Sequence, residues 1–261
     1  MPIRTTRDGR ITVVTIDRPP VNALSFDDYD ELAATFRALS ADPGLSVVVL
    51  TGAGQKIFCA GHDVKEFVTL TPKSAHAQLP RVCAAFDAVA ECGLAVIAAV
   101  NGPAIGAGLA LASLSDVRLA STTATFALPE IDVGVLGSAS HLMRLVPQGT
   151  ARLLALTGRR MSAEEAQRLG MVEEIYEPAQ LMPAALALAE EIAAKSPAAV
   201  RLCKLTMNQL EYMAASEGYA LECEGTEQLR HGNNAAEGAR AVLGKRDPDY
   251  DMSLKGAEPH G

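Results

Sequence analysis

Tryptophan is absent from the 261 residues, and aromatic residues make up only 4%. A core without large rings has to be filled by Ala, Leu and Val, which favours helices and strands packed closely around small side chains. Basic residues are also in deficit, Lys+Arg 23 against Asp+Glu 31, for a net charge of −8. No Lys/Arg run exceeds two residues, so the concentrated positive field of a nucleic-acid binder is missing. The five cysteines are odd in number and lack C-x-x-C spacing. No charged-then-apolar leader precedes the first strand, and both features favour free thiols in a reducing cytoplasm. The apolar run LAVIAAV at 94–100 is far shorter than the ~20 residues that span a bilayer, so no membrane partner is expected. HExxH, P-loop and G-x-S-x-G patterns are missing and the five His are scattered, which leaves metal, nucleotide-hydrolysis and serine-hydrolase chemistry without support.

What is present suits a packed globular protein: 49% hydrophobic against 21% charged residues. The length allows one large or two modest domains. ITVVTI at 11–16 reads as a strand stopped by Pro19-Pro20. Ser25 caps a helix with Asp28 in a capping box, and Phe26, Tyr29, Leu32, Ala33, Phe36 and Leu39 form its apolar face. SVVVLT at 46–51 and LAVIAAV are wholly apolar strands of the kind buried on both faces. A helix over most of 74–92 separates them, and a glycine-bearing turn leads from the second strand into a helix ending at Leu114. Strands DVRLAS and ATFAL follow, so the recurring strand–strand–helix order predicts an α/β architecture. Beyond about 138 the chain turns helix-rich, with one strand at 171–176. Pro197 marks a joint between a domain over 1–196 and a helical region over 197–261. The tail from Asp247 onward is expected to fray.

Three segments concentrate the residues that chemistry needs. FCAGHDVKEF at 58–67 predicts a short apolar strand (Ile57, Phe58, Cys59), a Gly61 turn, and a helix opened by His62 with Asp63 and Glu66 in its first turn. Free N–H groups there attract negative charge, although an ordinary strand–Gly–helix turn is the blander alternative. In NGPAIGAGLA at 101–110, Gly102, Gly106 and Gly108 let backbone approach a ligand closely; such a turn more often means tight packing. Glu130 follows Pro129 in FALPEIDVG, and its bland reading is a solvated loop carboxylate. In an apolar cleft it would be a stronger base, because desolvation disfavours the anion. Asp132 is expected to turn to solvent. The His62 and His141 side chains are candidates to enter the same cleft, against a structural role for each.

Taken together, FCAGHD, NGPAIGAGLA and PEIDVG resemble the crotonase (enoyl-CoA hydratase/isomerase) family. The resemblance runs from RPPVNALS at 18–25 to AVLGKRDPDY at 241–250. It implies a crotonase-type spiral of ββα units with a helical C-terminal region that packs subunits into a homotrimer, often paired as a homohexamer. It implies an acyl-CoA substrate and no separate cofactor, coenzyme A being part of the substrate. A net charge of −8 does not exclude that anion, whose phosphates need only a few local donors. Carried over residue by residue, the backbone N–H groups of His62 and Ala107 form an oxyanion hole, and Glu130 is the catalytic carboxylate. The coenzyme A moiety falls to Val21, Ala23, Lys56, Ala60, Asp63, Val64 and Lys65, although both lysines alone read as solvated surface.

The sequence departs from the hydratase pattern at two places. That motif ends N-G-x-A-x-G-G-G-x-E, and Ala110 stands where its Glu supplies a second carboxylate. After Glu130 the usual Gly-rich stretch is replaced by GSASH at 137–141, with Ser138 at the water-contacting position. The expectation is therefore a single-carboxylate proton shuttle, of the isomerase type. Hydration by Glu130 with a non-standard partner is the alternative, and a non-catalytic acyl-CoA-binding scaffold is an alternative of another class.

Overall fold

The structure, a computed structural model, describes residues 2–257. The chain opens on an antiparallel pair, β1 (Ile3–Asp8) and β2 (Ile11–Ile16), in register from Ile3↔Ile16 to Asp8↔Ile11. β1 escapes a periodicity reading because only Ile3 of IRTTRD is buried. α1 (Phe26–Ala41) begins at the anticipated capping box: Asp28 N–H donates to the Ser25 hydroxyl, and Ser25 N–H donates to the Asp28 carboxylate. β3 (Val47–Gly52), α2 (Val64–Thr69), α3 (Pro72–Ala90), β4 (Ala95–Val100), β5 (Ala104–Ile105) and α4 (Ala107–Leu114) follow. Then come β6 (Val117–Ser121), β7 (Thr125–Ala127), a 3-10 turn (Pro129–Val133), α5 (Ala139–Leu142), α6 (Gln148–Thr157) and β8 (Arg160–Ser162). The chain finishes with α7 (Ala163–Arg168), β9 (Glu174–Tyr176), α8 (Pro178–Ala193), α9 (Pro197–Leu210), α10 (Ala215–Leu229) and α11 (Asn234–Gly244).

The main sheet runs β1-β2-β3-β4-β6-β9, and every pairing except β1–β2 is parallel. Strand periodicity divides its buried residues between two cores. Val48, Leu50, Val96, Ala98 and Val100 face one core with Tyr29, Leu32 and Phe36 of α1. Val47, Val49, Ala95, Ile97 and Ala99 face the other, with Leu181, Ala185 and Ala189 of α8. Burial on both faces explains why β3 and β4 carry no polar alternation.

A second layer lies beside this sheet. Leu24 bridges His62, Cys59 bridges Ala104, and β5 pairs with β7, all in parallel, while β8 closes the edge antiparallel to β7. Each turn of the chain thus sends one strand to the main sheet, a short extended segment to the second layer, and then a helix outward. This is a spiral of ββα units in which the 57–63 member has shrunk to isolated bridges. His62 accordingly lies in the bridge and opens no helix; Asp63 is the N-cap of α2, its carboxylate accepting from Lys65 N–H. The expected strand at 57–59 is only the Cys59 bridge, because Phe58 and Cys59 N–H both donate to Pro103 O.

At the C-terminal side, α9 docks through buried polar contacts. The Lys204 ammonium donates to Leu94 O at 3.0 Å and pairs with Asp116 at 2.9 Å; the Asn208 amide donates to Ala90 O at 2.9 Å. The expected fraying from Asp247 does not hold for the described part of the tail. Asp251 N–H donates to Asn234, whose amide donates back to Asp251 O, and Ala257 packs on Ala198 and Leu202. Residues 258–261 of that segment lie outside the described residues.

Candidate active site

Parallel pairing of β5 with β7 brings the C-terminal ends of two strands together, where open parallel sheets place their ligands. The pair runs Ala104↔Phe126 and Ile105↔Ala127, and Gly106 N–H extends it by donating to Ala127 O at 2.9 Å. From there the two chains diverge. Gly106 adopts φ 56°, ψ −117° and launches α4, whereas Leu128-Pro129 starts the 3-10 turn that carries Glu130. Only glycine reaches that backbone conformation without strain. It is doubly required here, since a Cβ on Gly106 would lie 2.7 Å from Glu130 Oε1 and 3.8 Å from Gly61 Cα.

Glu130 is clasped from its other side by Gly137, where a Cβ would lie 2.6 Å from both the carboxyl carbon and Oε2. Its Oε2 is buried without a hydrogen-bond partner among the described residues. Burial raises the Glu130 pKa above the ordinary carboxylate value, and its own backbone N–H offsets this only in part. Such a carboxylate is a strengthened base.

The cleft around it has a volume of about 300 Å³. Phe26, Phe67, Leu79, Val82 and Phe86 wall it, together with Ala60, Gly61, His62 and Val64 from the 57–64 segment. Ile105, Gly106 and Ala107 close one end and the 129–138 segment the other, including Glu130, Asp132 and Ser138. Ala107 is the first residue of α4, so its N–H has no intrahelical acceptor. Among the described residues, neither Ala107 N–H nor His62 N–H meets an acceptor. Two free backbone donors therefore sit on segments that touch at Gly61 and Gly106, both lining the cleft that holds Glu130.

The loop carrying Val21 and Ala23 lies alongside. Ala60 N–H donates to Val21 O, Leu24 N–H to Gly61 O, and Asp63 N–H to Leu24 O. Asn22, at φ 54°, ties the loop down by donating to Ile57 O and Phe58 O. Arg18 donates to Ala23 O at 2.7 Å and pairs with Asp63 and Asp28 at 3.0 Å. Val21, Ala23, Ala60, Asp63, Val64 and Lys65 thus form one rim beside the cleft. The Asp63 carboxylate is consumed by the α2 cap, where it accepts from Lys65 N–H, and by Arg18, which together lower its pKa against the opposing effect of burial. Lys56 and Lys65 are exposed, and Lys56 sits apart on the 53–57 turn.

Of the side chains proposed from sequence to enter the cleft, His62 does so and His141 does not line it. The His62 ring lies between Phe26 (centroids 4.5 Å apart), Phe67 (4.4 Å) and Tyr29 (5.7 Å, nearly parallel stacking). Burial drives its pKa down to about 4, Asp63 opposing this and Arg18 adding to it. The ring is neutral at pH 7, so its 3.4 Å approach to Glu66 is not an ion pair, and neither ring nitrogen has a hydrogen-bond partner. Asp132 is exposed, as expected, yet it borders the cleft. Ala110 is fully buried in α4 and does not line the cleft. Tyr29 belongs to the core and also lines the cleft, with its hydroxyl buried and unpartnered among the described residues; no sequence signal separates that from an ordinary core tyrosine. Cys59, beneath the same wall, is inert, its thiol pushed up to about 12 by burial.

A spiral of ββα units whose cleft brings one half-buried carboxylate, Glu130, together with two free backbone N–H groups defines an α/β protein with its polar groups gathered in one apolar cleft. The chain belongs to the enoyl-CoA hydratase/isomerase family, whose pattern matches residues 6–253. It is 40% identical, over 94% of its length and 100% of the relative's, to (7aS)-7a-methyl-1,5-dioxo-2,3,5,6,7,7a-hexahydro-1H-indene-carboxyl-CoA hydrolase of Mycobacterium tuberculosis. It is 34% identical to carnitinyl-CoA dehydratase of Salmonella arizonae, covering 95% of this chain and 97% of the relative. Among solved structures, an enoyl-CoA hydratase from Bacillus anthracis superposes with a TM-score of 0.93 at 31% identity, covering 97% of this chain and 100% of that one. The fold is the crotonase fold, with its helical C-terminal region.

Proposed function

We propose that this protein is an acyl-CoA enzyme that stabilises a thioester enolate and moves a proton with one carboxylate. The observation that carries this is Glu130 clasped between Gly106 and Gly137; Ala110, where the family resemblance leads one to expect a second carboxylate, offers only a methyl group. The thioester carbonyl accepts from the N–H groups of His62 and Ala107, each pre-aimed donor contributing about 3–4 kcal/mol in the transition state. Glu130 removes a proton from C2 of a 3-enoyl-CoA, and the charge moves onto the thioester oxygen. Glu130 then returns the proton at C4, shifting the double bond. One base on one face suffices for this isomerisation. Val21, Ala23, Ala60, Val64 and Lys65, with the backbone of Asp63, take the coenzyme A moiety along the rim, and Lys56 is assigned to the same moiety from the neighbouring 53–57 segment. Family membership and the CoA thioesters in the relatives' names support the substrate class.

Hydration or dehydration is the second reading, favoured by Asp132 at the edge of the same cleft and by the dehydratase among the relatives. Turnover of 2-enoyl- and 3-enoyl-CoA thioesters in heavy-oxygen water, followed by mass spectrometry, separates the two. Double-bond migration without oxygen uptake is expected; efficient oxygen incorporation into 2-enoyl-CoA would replace isomerisation by hydration. Glu130→Gln keeps the shape and removes the base, so acyl-CoA should still bind while turnover falls by about 10²–10⁴. Intact turnover in that variant would remove Glu130 from the mechanism.

A further inference from the structure

The cleft holds more unpaired polarity than a single-carboxylate shuttle uses. Tyr29 Oη, His62 Nδ1 and His62 Nε2 are buried without hydrogen-bond partners among the described residues, and both side chains line the cleft beside Glu130. Tyr29 is 0% exposed, and its ring stacks on the imidazole at 5.7 Å with 12° between the planes. Phe26, Phe67 and Phe86 pack around this pair. A buried hydroxyl or ring nitrogen left unpaired in such a setting is costly, and a phenylalanine would fill the same space without that cost. The pair is therefore better explained as half of a hydrogen-bonded contact.

The charge states define the other half. Burial, with Cys59, Glu130, Glu66 and Asp28 nearby, holds the Tyr29 hydroxyl protonated far beyond neutral pH, and His62 is neutral. The Tyr29 hydroxyl can donate to an oxygen or accept from one; on the ring, Nε2 faces the Glu66 carboxylate at 3.4 Å, which leaves Nδ1 as the position open to a ligand. No Lys or Arg lines the cleft among the described residues, and Glu130 and Asp132 border it. An anionic chain end would meet repulsion and no counter-charge, whereas an uncharged oxygen would satisfy both side chains.

Resting on the acyl-CoA reading above, we propose that Tyr29 Oη and the His62 ring form a recognition pair for an uncharged oxygen on the acyl chain. The preferred substrates are then hydroxyacyl or oxoacyl thioesters, and plain alkyl chains are disfavoured.

Calorimetric binding to the full-length protein tests this with saturated thioesters, which the proposed proton shuttle leaves unchanged. Hexanoyl-CoA is compared with 4-hydroxyhexanoyl-, 5-hydroxyhexanoyl- and 5-oxohexanoyl-CoA. At least one oxygenated chain should bind about three- to tenfold tighter than hexanoyl-CoA, the usual weight of one added hydrogen bond. Tyr29→Phe should close that gap. The variant loses only an unpaired hydroxyl and should melt no lower than the wild type, so a null result cannot be blamed on misfolding. Equal affinities for all four thioesters in the wild type overturn the proposal, as does a preference that survives in Tyr29→Phe. Free coenzyme A is the control: if neither it nor any thioester binds, the acyl-CoA reading fails as well. Binding of all four with equal strength sinks only the recognition pair.

Discussion

At the scale of single residues, Glu130 shows how neighbours without side chains make a base. A carboxylate held by Gly106 and Gly137 can be buried against backbone because no Cβ stands in its way. Gly137→Ala should test this cleanly, since its added Cβ would come within 2.6 Å of the carboxyl carbon and Gly137 lacks a positive φ. The fold should survive, and turnover should fall by roughly 10²-fold, because about 1 Å of displacement at a reacting group can carry that penalty. Near-native melting with lost turnover is the expected pair of results; unchanged turnover would mean that the position of the carboxylate does not matter. His62 makes a second residue-scale prediction. Between about pH 6.5 and 4 the unfolded chain binds a proton on this imidazole that the folded chain refuses, so stability is lost as pH falls through that window. His141, also lowered by burial, acts in the same direction. Glu130, raised, acts in the opposite one, because the folded state keeps its proton where the unfolded state has released it. Urea midpoints at pH 7 and pH 5 should fall less in His62→Gln than in the wild type. Parallel losses in both would assign the acid sensitivity to other groups.

At the scale of elements, the substrate rim depends on short pieces held by a few polar contacts. α2 has six residues and buries none of them, so it has little packing of its own. It is held by Asp63, which caps its first turn and pairs with Arg18, itself bound to Ala23 O and Asp28, together with Glu66, which accepts from Phe26 N–H, and Phe67, packed on the His62 ring. Asp63→Ala should destabilise the protein by about 0.5–2 kcal/mol, the usual cost of a lost N-cap. It should also raise KM for acyl-CoA, because the Leu24–His62 bridge loses its clamp. Chemical denaturation and steady-state kinetics on one preparation measure both effects, and a stability loss with unchanged KM would separate α2 from the substrate rim.

At the scale of the whole molecule, the helical region leaves large apolar side chains unburied. Met207 is 59% exposed, Tyr212 80%, Tyr219 69% and Leu243 85%, all on α9–α11 or the turns joining them. Apolar residues scattered singly are ordinary on a surface, and Val68 and Leu136 are as exposed elsewhere; those of the helical region are singled out because the family resemblance implies that this region lies between subunits. A second and third copy of this chain are its proposed partners. Light scattering should give a trimer or hexamer, and Tyr212→Glu combined with Leu243→Glu should shift the population toward monomer. A wild-type protein that stays monomeric at micromolar concentration would defeat this assignment.

Periodicity and turn chemistry alone determined the elements whose signals are local. The Ser25–Asp28 cap, the helix face from Phe26 to Phe36, and the doubly buried strands at 47–52 and 95–100 all depend on neighbours within a few positions. The segments FCAGHD, NGPAIGAGLA and PEIDVG, read together, were also enough to point to the family. β1 is not legible in sequence, because an edge strand with one buried residue lacks alternation, and His62 reads as a helix residue because its bridge partner, Leu24, lies 38 positions earlier. The pinned tail was missed for the same reason, its partners Asn234 and Leu202 being remote in sequence. Only the tertiary structure decided that Gly106 and Gly137 close around Glu130, and that Tyr29, its hydroxyl buried and unpartnered among the described residues, lines the cleft. Those arrangements depend on contacts between segments far apart in the chain, and one-dimensional spacing records only which side of its own element a residue occupies.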